Sequence, residues 1–200
     1  MWFIKKKNLS KLLKDTDYIF HLAGLSKVRE SINNPHKYYK ANVISTLNIL
    51  NSIHGLKLKK FIYSASASCY GDPEEIPTSE KAKIQVLSPY AVTKWTSEEM
   101  IMHRARTSKL PAISLRLFNV YGPRSNAFNQ YSSVISIFLK QRLSNKSLTV
   151  VGDGLQTRSF IYVSDVVNAM IAVAKSKVSN EIFNVGSHKS TKIKKIAQLL

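Results

Sequence analysis

The sequence predicts an α/β protein: a doubly wound parallel sheet with a smaller part towards the C-terminus. Three observations lead there. Short apolar runs recur at residues 18–23, 60–64 and 112–118, each of the length of a buried strand. Longer stretches of helical period separate them, as crossovers between parallel strands require. Strands that alternate with helices of this length form a sheet covered on both faces.

Taken in order, Tyr18-Ile19-Phe20-His21-Leu22-Ala23 reads as a buried strand ending at Gly24. Asn34-Pro35 opens a helix to about residue 53, with proline suited to the first turn. Phe61-Ile62-Tyr63 is the centre of a second strand. Gly71, Asp72, Pro73, Pro77 and Pro89 make 71–89 a loop. A helix follows over 90–107, then the third strand. After Tyr121-Gly122-Pro123 the texture changes. A helix is expected near 134–143, short strands at 148–151 and 159–163, a helix at 165–174, a short strand at 182–185, and a helix starting at 192 that reaches the last residue. The two parts divide at 1–123 and 124–200, interleaved rather than cleanly separated.

Two hundred residues, 44% of them hydrophobic, suffice for one domain with a sizeable core. The longest apolar stretches, such as 166–173, carry polar interruptions and are too short to cross a bilayer. Met1-Trp2-Phe3-Ile4-Lys5-Lys6-Lys7 places apolar residues before charge, the reverse of an export signal. The single cysteine, Cys69, fits a reducing compartment, so a cytoplasmic setting without membrane association is expected. Lys and Arg total 30 against 12 for Asp and Glu, a net charge of +18. The lysines come in small groups (5–7, 57–60, 81–83, 192–195), with no zinc-finger or aromatic-interleaved basic pattern. A solvated basic surface facing an anionic substrate fits this better than nucleic-acid binding.

The strongest chemical signal is Ser88-Pro89-Tyr90-Ala91-Val92-Thr93-Lys94. Tyr90 and Lys94 stand one turn apart on one helix face. An ammonium beside a phenol favours phenolate, making tyrosine a usable base near neutral pH. The second strand runs into Ala65-Ser66-Ala67-Ser68-Cys69-Tyr70-Gly71. Hydroxyls just past the carboxyl end of a parallel strand sit where open sheets bind ligands. Taken alone, the first segment also fits an amphipathic helix with a half-buried tyrosine, and the second a serine-rich turn. His21, alone in an apolar strand, reads as a satisfied core residue. No metal site is expected, and Cys69 reads as packing.

Further segments join these two in order: Asp17–Gly24; Asn34-Pro35 with Tyr38-Tyr39, Asn42 and Thr46-Leu47; Leu115-Arg116-Leu117-Phe118-Asn119-Val120-Tyr121-Gly122-Pro123; Gly152-Asp153-Gly154 with Arg158-Ser159-Phe160-Ile161-Tyr162-Val163-Ser164-Asp165; and Phe183-Asn184-Val185-Gly186. With them the chain resembles the extended short-chain dehydrogenase/reductase family of NAD-dependent epimerases and dehydratases, most closely its UDP-galactose (UDP-glucose) 4-epimerase-like members.

The resemblance implies a Rossmann-like domain binding NAD, and a nucleotide-diphosphate sugar, UDP-linked, as substrate. It makes Tyr90 the catalytic acid/base and Lys94 its electrostatic partner, also bonding the nicotinamide ribose. Ser66 matches the family's catalytic Ser/Thr and would share the sugar hydroxyl's proton. Ala23, Gly24, Asn42 and Ser64 would lie along the cofactor. Asn119 and Arg158 match positions holding the nucleotide diphosphate, a role that suits a forked guanidinium. The implied reaction is transient oxidation to a keto sugar with return of the hydride to its other face. Related dehydratases place Asp-Glu directly after the catalytic Ser/Thr, where this chain has Ala67 and Ser68, and related decarboxylases carry a glutamate in that segment. Epimerization is therefore expected over dehydration or reduction, with a non-catalytic nucleotide-sugar binder as the other alternative.

The family pattern is departed from at Ser159, usually aspartate, and at Ser26, where many epimerases carry a cofactor-binding lysine. The first glycine is Gly24, so the family's glycine-rich phosphate turn has no counterpart before it. About two strand–helix units, on the order of 60 residues at ~30 per unit, are expected to lie outside this sequence, with part of the C-terminal region. These residues alone are then expected to bind NAD weakly and not to turn over. The strand at 18–23 would expose its edge and the sheet faces beside it. The resemblance further implies a homodimer through the helices at 34–53 and 90–107.

Overall fold

The computed structural model describes residues 6–125 and 133–200. Helix α1 (Lys6–Leu13) leads into β1 (Tyr18–His21), and then α2 (Val28–Asn33), α3 (Pro35–Tyr38), a π-helical turn (Tyr39–Ile44) and α4 (Ser45–Ser52) make the first crossover. Strand β2 (Lys60–Ser66) ends in a 3-10 turn (Ala67–Tyr70). A loop leads to α5 (Pro89–Ser108), β3 (Ala112–Leu117) and β4 (Asn119–Tyr121). Then come α6 (Val134–Leu143), β5 (Thr157–Tyr162), α7 (Val163–Lys175), β6 (Glu181–Val185), β7 (Ser190–Lys192) and α8 (Ile193–Leu199). Among the described residues, no helix is long and apolar enough to cross a membrane.

The main sheet runs β1-β2-β3-β6, every pair parallel. Its two faces follow from strand alternation. Phe61, Tyr63, Ala65 and Ala112 join Leu50, Ile53, Ile101 and Ala105 in the core under α4 and α5. Ile62, Ile113 and Leu115 turn to the other face and meet Val166 and Met170 of α7. On β3 the alternation puts Ser114 and Arg116 on the α5 side. This placement of two polar side chains sets up the site described below. A second, smaller sheet runs β4-β5-β7, with β5 antiparallel to β7, above a cluster of Phe138, Ile193 and Ile196. The chain returns to the main sheet through β6.

Several sequence expectations change. The helix at 34–53 does start at Pro35, but passes through the π-helical turn where three hydroxyls crowd one carbonyl. Residues 148–151 form no strand, because the Thr149 backbone N–H donates to the Gln141 side chain (3.0 Å) instead of to a ladder. The strand expected at 159–163 begins earlier, at Thr157, and stops before Val163, which opens α7. Strand β1 lies at the sheet edge, yet only one of its faces is open. Tyr18 and Phe20 are each 43% exposed, whereas Ile19 and His21 are buried beneath the α4 side. Gly71 ends the serine turn with φ of 61°, and a Cβ there would stand 2.1 Å from the Gln85 carbonyl oxygen.

This asymmetry has a measurable consequence. Ile113→Ala, in the fully buried face, is expected to cost about 2–5 kcal/mol in denaturant unfolding. Phe20→Ala, on the open face of β1, is expected to cost under about 1 kcal/mol in the same assay.

Candidate active site

The site grows from the carboxyl end of β2 and the amino end of α5. Ser88 caps α5, accepting from the Ala91 N–H at 3.1 Å, and Pro89 occupies the first turn. The next free backbone N–H, that of Tyr90, donates to Ser31 Oγ at 3.0 Å. Buried Ser31, on α2, thus fixes the position of Tyr90 from a different element. The Tyr90 ring stands edge-on to Tyr38, centroids 6.4 Å apart. Tyr38 itself donates to Glu30 and accepts from the Lys27 N–H.

Tyr90 is 9% exposed. Burial raises its phenol pKa, and a hydrogen bond with Ser66 opposes the rise. Ser66 Oγ also accepts from the Ser68 N–H (3.2 Å) and the Ser68 hydroxyl (2.9 Å), which draws the serine turn tight. Lys94 is 7% exposed, donates from Nζ to the Ser64 carbonyl, and lies 4.3 Å from the centroid of the Tyr63 ring. Burial brings its pKa down to about 7, against the pull of Glu98.

The expected lowering of the Tyr90 pKa by Lys94 is therefore not what the fold shows. The phenol is raised, because desolvation outweighs every other influence on it and the Lys94 amine is turned to the Ser64 carbonyl. Ser66, Tyr90, Lys94 and Ser64 are brought together all the same.

Asn42 sits in the π-helical turn and is buried. Its side chain accepts from the Leu25 N–H (2.7 Å) and donates to the Leu25 carbonyl (3.1 Å) and to Thr93 Oγ1 (3.0 Å). Its carbonyl accepts from the hydroxyls of Ser45, Thr46 and Ser97. Asn42 thus ties the turn after β1 to α5. A Cβ at Gly24 would stand 2.9 Å from Asn42 Oδ1, so glycine lets that turn close on the amide. Ala23 and Ser26, either side of it, are exposed.

Asn119 and Arg158 lie on the second sheet, on β4 and β5, both exposed. Asn119 donates to the Ser159 carbonyl (2.9 Å), while Arg158 Nη1 turns back to the Thr157 carbonyl (2.8 Å). Ser159 donates to the Ser187 carbonyl (2.9 Å) and accepts from the Ser187 N–H (3.0 Å). A carboxylate could accept but not donate there, so serine has its own structural use at this departure.

The profile of the NAD dependent epimerase/dehydratase family matches residues 3–186. The chain belongs to that family. It is 35% identical over 201 residues to a UDP-N-acetyl-alpha-D-glucosaminuronate decarboxylase of Bacillus cytotoxicus, covering 98% of this chain and 61% of the relative. The solved UDP-N-acetylglucosamine 4-epimerase of Methanobrevibacter ruminantium, in complex with UDP-N-acetylmuramic acid, is 34% identical with a TM-score of 0.93. That match covers 96% of this chain and 62% of the other. A Bacillus cereus UDP-glucuronic acid 4-epimerase, in complex with UDP-glucuronic acid and NAD, gives 34% and 0.86, covering 96% and 61%. The chain spans from 56% to 65% of the length of the curated relatives it matches.

Within this family site, sequence reasoning missed Ser31, Thr93 and the support beneath α5. Ser31 carries no motif signal, since its partner is a backbone N–H 59 positions away. His21 is the core residue expected: it is buried, 2.7 Å from Thr46 Oγ1, and burial takes its pKa down to about 4. Cys69 is buried packing with its thiol pushed up to about 11, although a cation, Arg116, does lie close enough to act on it.

Lys94 gives the site a pH signature. Its ordinary value of 10.5 falls to about 7 in the fold, so between those values the unfolded chain binds more protons than the folded one. Stability is thus expected to rise with pH across that window, by up to about 1.4 kcal/mol per unit for one proton. Denaturant midpoints of Lys94→Met between pH 7 and 9 should lack that part of the rise.

Proposed function

We propose that these residues carry the acid–base and sugar-nucleotide side of an NAD-dependent 4-epimerase acting on a UDP-linked hexose. The observation that carries the proposal is the hydrogen bond between the Ser66 and Tyr90 side chains at the carboxyl end of β2, where Lys94, one helix turn from Tyr90, reaches the Ser64 carbonyl of the same strand. Family membership and the likeness to epimerases solved with UDP-sugars support it.

The donors present suit the nicotinamide-ribose end of the cofactor. Lys94 Nζ and the Tyr90 hydroxyl can both donate to ribose hydroxyls, and exposed Ala23 and half-buried Gly24 follow the end of β1. NAD, when bound, supplies the hydride acceptor and donor for the sugar carbon. The remaining work belongs to the protein. Ser66 shares the proton of the sugar hydroxyl with Tyr90, and Tyr90 holds that proton and gives it back. Burial raises the Tyr90 pKa, so the phenol stays protonated in the site as it stands and its ionised, basic form is the disfavoured one. Removing the proton needs a cation near the phenol, the part assigned to Lys94 in its charged form. Asn119 and Arg158 hold the diphosphate on the second sheet, Arg158 by exchanging its backbone partner for phosphate. In this reading residues 1–123 supply the acid–base groups and residues 124–200 much of the nucleotide-sugar contact.

Ala67 and Ser68 follow Ser66, so no side chain there can expel water as an acid. This favours epimerization over dehydration. A two-fold contact through the helices at 34–53 and 90–107, in a cytoplasmic setting, completes the proposal. Exposed Tyr39, Ile44 and Leu47 give the first of those helices an apolar outer face.

The test uses the protein that carries this chain, with NAD and UDP-glucose, followed by proton NMR. Inversion at C4 is expected, with kcat lowered by about 100-fold or more in Tyr90→Phe. Arg158→Ala is expected to raise KM by about tenfold with kcat nearly unchanged, as loss of a contact common to ground and transition states does. A 4-keto-6-deoxy product, or carbon dioxide released from a UDP-uronic acid, in place of C4 inversion would overturn the proposal.

A further inference from the structure

Beneath the serine turn lies a buried polar network that the reaction does not use. Arg116 of β3 is 3% exposed and Glu98 of α5 is 1% exposed. The guanidinium donates to the Glu98 carboxylate from Nη2 (2.6 Å to Oε1) and from Nε (3.0 and 3.2 Å), and Ser114 adds a bond to Oε2 (2.6 Å). Its remaining arm, Nη1, donates to the Tyr70 hydroxyl (2.8 Å) and to the Glu80 carbonyl (3.1 Å). Tyr70 in turn donates to Asn184 Oδ1 on β6 (2.7 Å). Asn184 closes the ring through its N–H to Glu80 Oε1 (2.8 Å) and its amide to the Thr78 carbonyl (2.9 Å).

The placement matters more than the bonds themselves. Tyr90, Lys94 and Glu98 step along α5 one turn at a time, so Glu98 continues the catalytic face of the helix. Tyr70 closes the 3-10 turn that Ser66, the last residue of β2, caps. Arg116 therefore grips, with two ends of one rigid planar group, the helix that carries Tyr90 and the turn that carries Ser66.

We propose that Arg116 and Glu98 are positioning residues for Ser66, holding the serine turn against α5 through the Tyr70 hydroxyl. The catalytic consequence rests on the proposed epimerase reading. The mechanical link does not.

Cys69, the single cysteine, sits in the same turn next to Tyr70 and is buried. Its reaction with Ellman's reagent in the folded protein reports opening of that turn, whatever the activity. Tyr70→Phe removes one bond and leaves the ion pair. Arg116→Lys keeps the charge and loses the fork. In both, Cys69 is expected to react on the order of tenfold faster under native conditions, as local opening would allow. Ile113→Ala, destabilised from the opposite face of β3, serves as control and should stay within about twofold of the parent, because it raises global unfolding and leaves the easier local opening that governs access to Cys69 unchanged. A folded Tyr70→Phe protein whose Cys69 reacts no faster than in the control overturns the proposal, and this variant decides the matter if Arg116→Lys does not fold. In the C4 inversion assay, kcat of Tyr70→Phe should fall on the order of tenfold with KM for the UDP-sugar unchanged, since the hydroxyl is displaced while phosphate contacts remain. Faster Cys69 with unchanged kcat overturns the catalytic consequence, whereas absence of C4 inversion in the parent protein counts against the epimerase reading alone.

Discussion

The structure depends on the burial of one carboxylate. Glu98 points from α5 into the sheet, where an unpaired charge would be intolerable, and Arg116 and Ser114 answer it from alternate positions on β3. That pairing fixes the height and rotation of α5 over the sheet. Tyr90 and Lys94, two turns and one turn nearer the helix start, take their places as a result. Such a pair adds little net stability over an apolar contact of the same shape. What it supplies is a defined geometry in a helix whose other inward residues, such as Ala91, Ile101 and Ala105, could slide along the sheet.

A second constraint acts at the other flank. The Asn42 amide reaches the Leu25 backbone and Thr93 at once, and it does so from a π-helical turn. A regular helix gives every carbonyl an N–H one turn on. Here Thr46 and Ser97 hydroxyls crowd the Asn42 carbonyl, which makes the wider turn affordable. The turn after β1, α4 and α5 are thereby tied to one another by polar groups buried from water. Such ties are specific because an unmatched partner would cost more than the matched one gains.

Lys94 shows the two sides of such burial. Desolvation takes its proton affinity down towards neutrality while Glu98, one turn on, acts against it. Tyr90 meets the same desolvation with the opposite sign, because its charged form is the deprotonated one. Two groups of ordinarily similar pKa are thus pushed apart by one environment.

The sequence by itself determined the strands at β1, β2 and β3, a helix from Tyr90, and the shared face of Tyr90 and Lys94, while the place of Ser66 beside them came from the family resemblance. The strands, the helix and the shared face rest on local physics: apolar runs of strand length and a spacing of one helical turn. His21 was legible as core for the same reason. The tertiary structure alone decided the rest. Residues 148–151 have strand-like composition, but a glutamine on α6 takes their backbone bond. The partners of Arg116 lie 18 and 46 positions away, and the partner of the Tyr90 N–H lies 59 away. The direction of the Tyr90 shift was misjudged from spacing, because a helix turn says which residues share a face and nothing about how much water reaches them. Contacts between distant segments and the depth of burial are properties of the assembled sheet, and no window of the chain contains them.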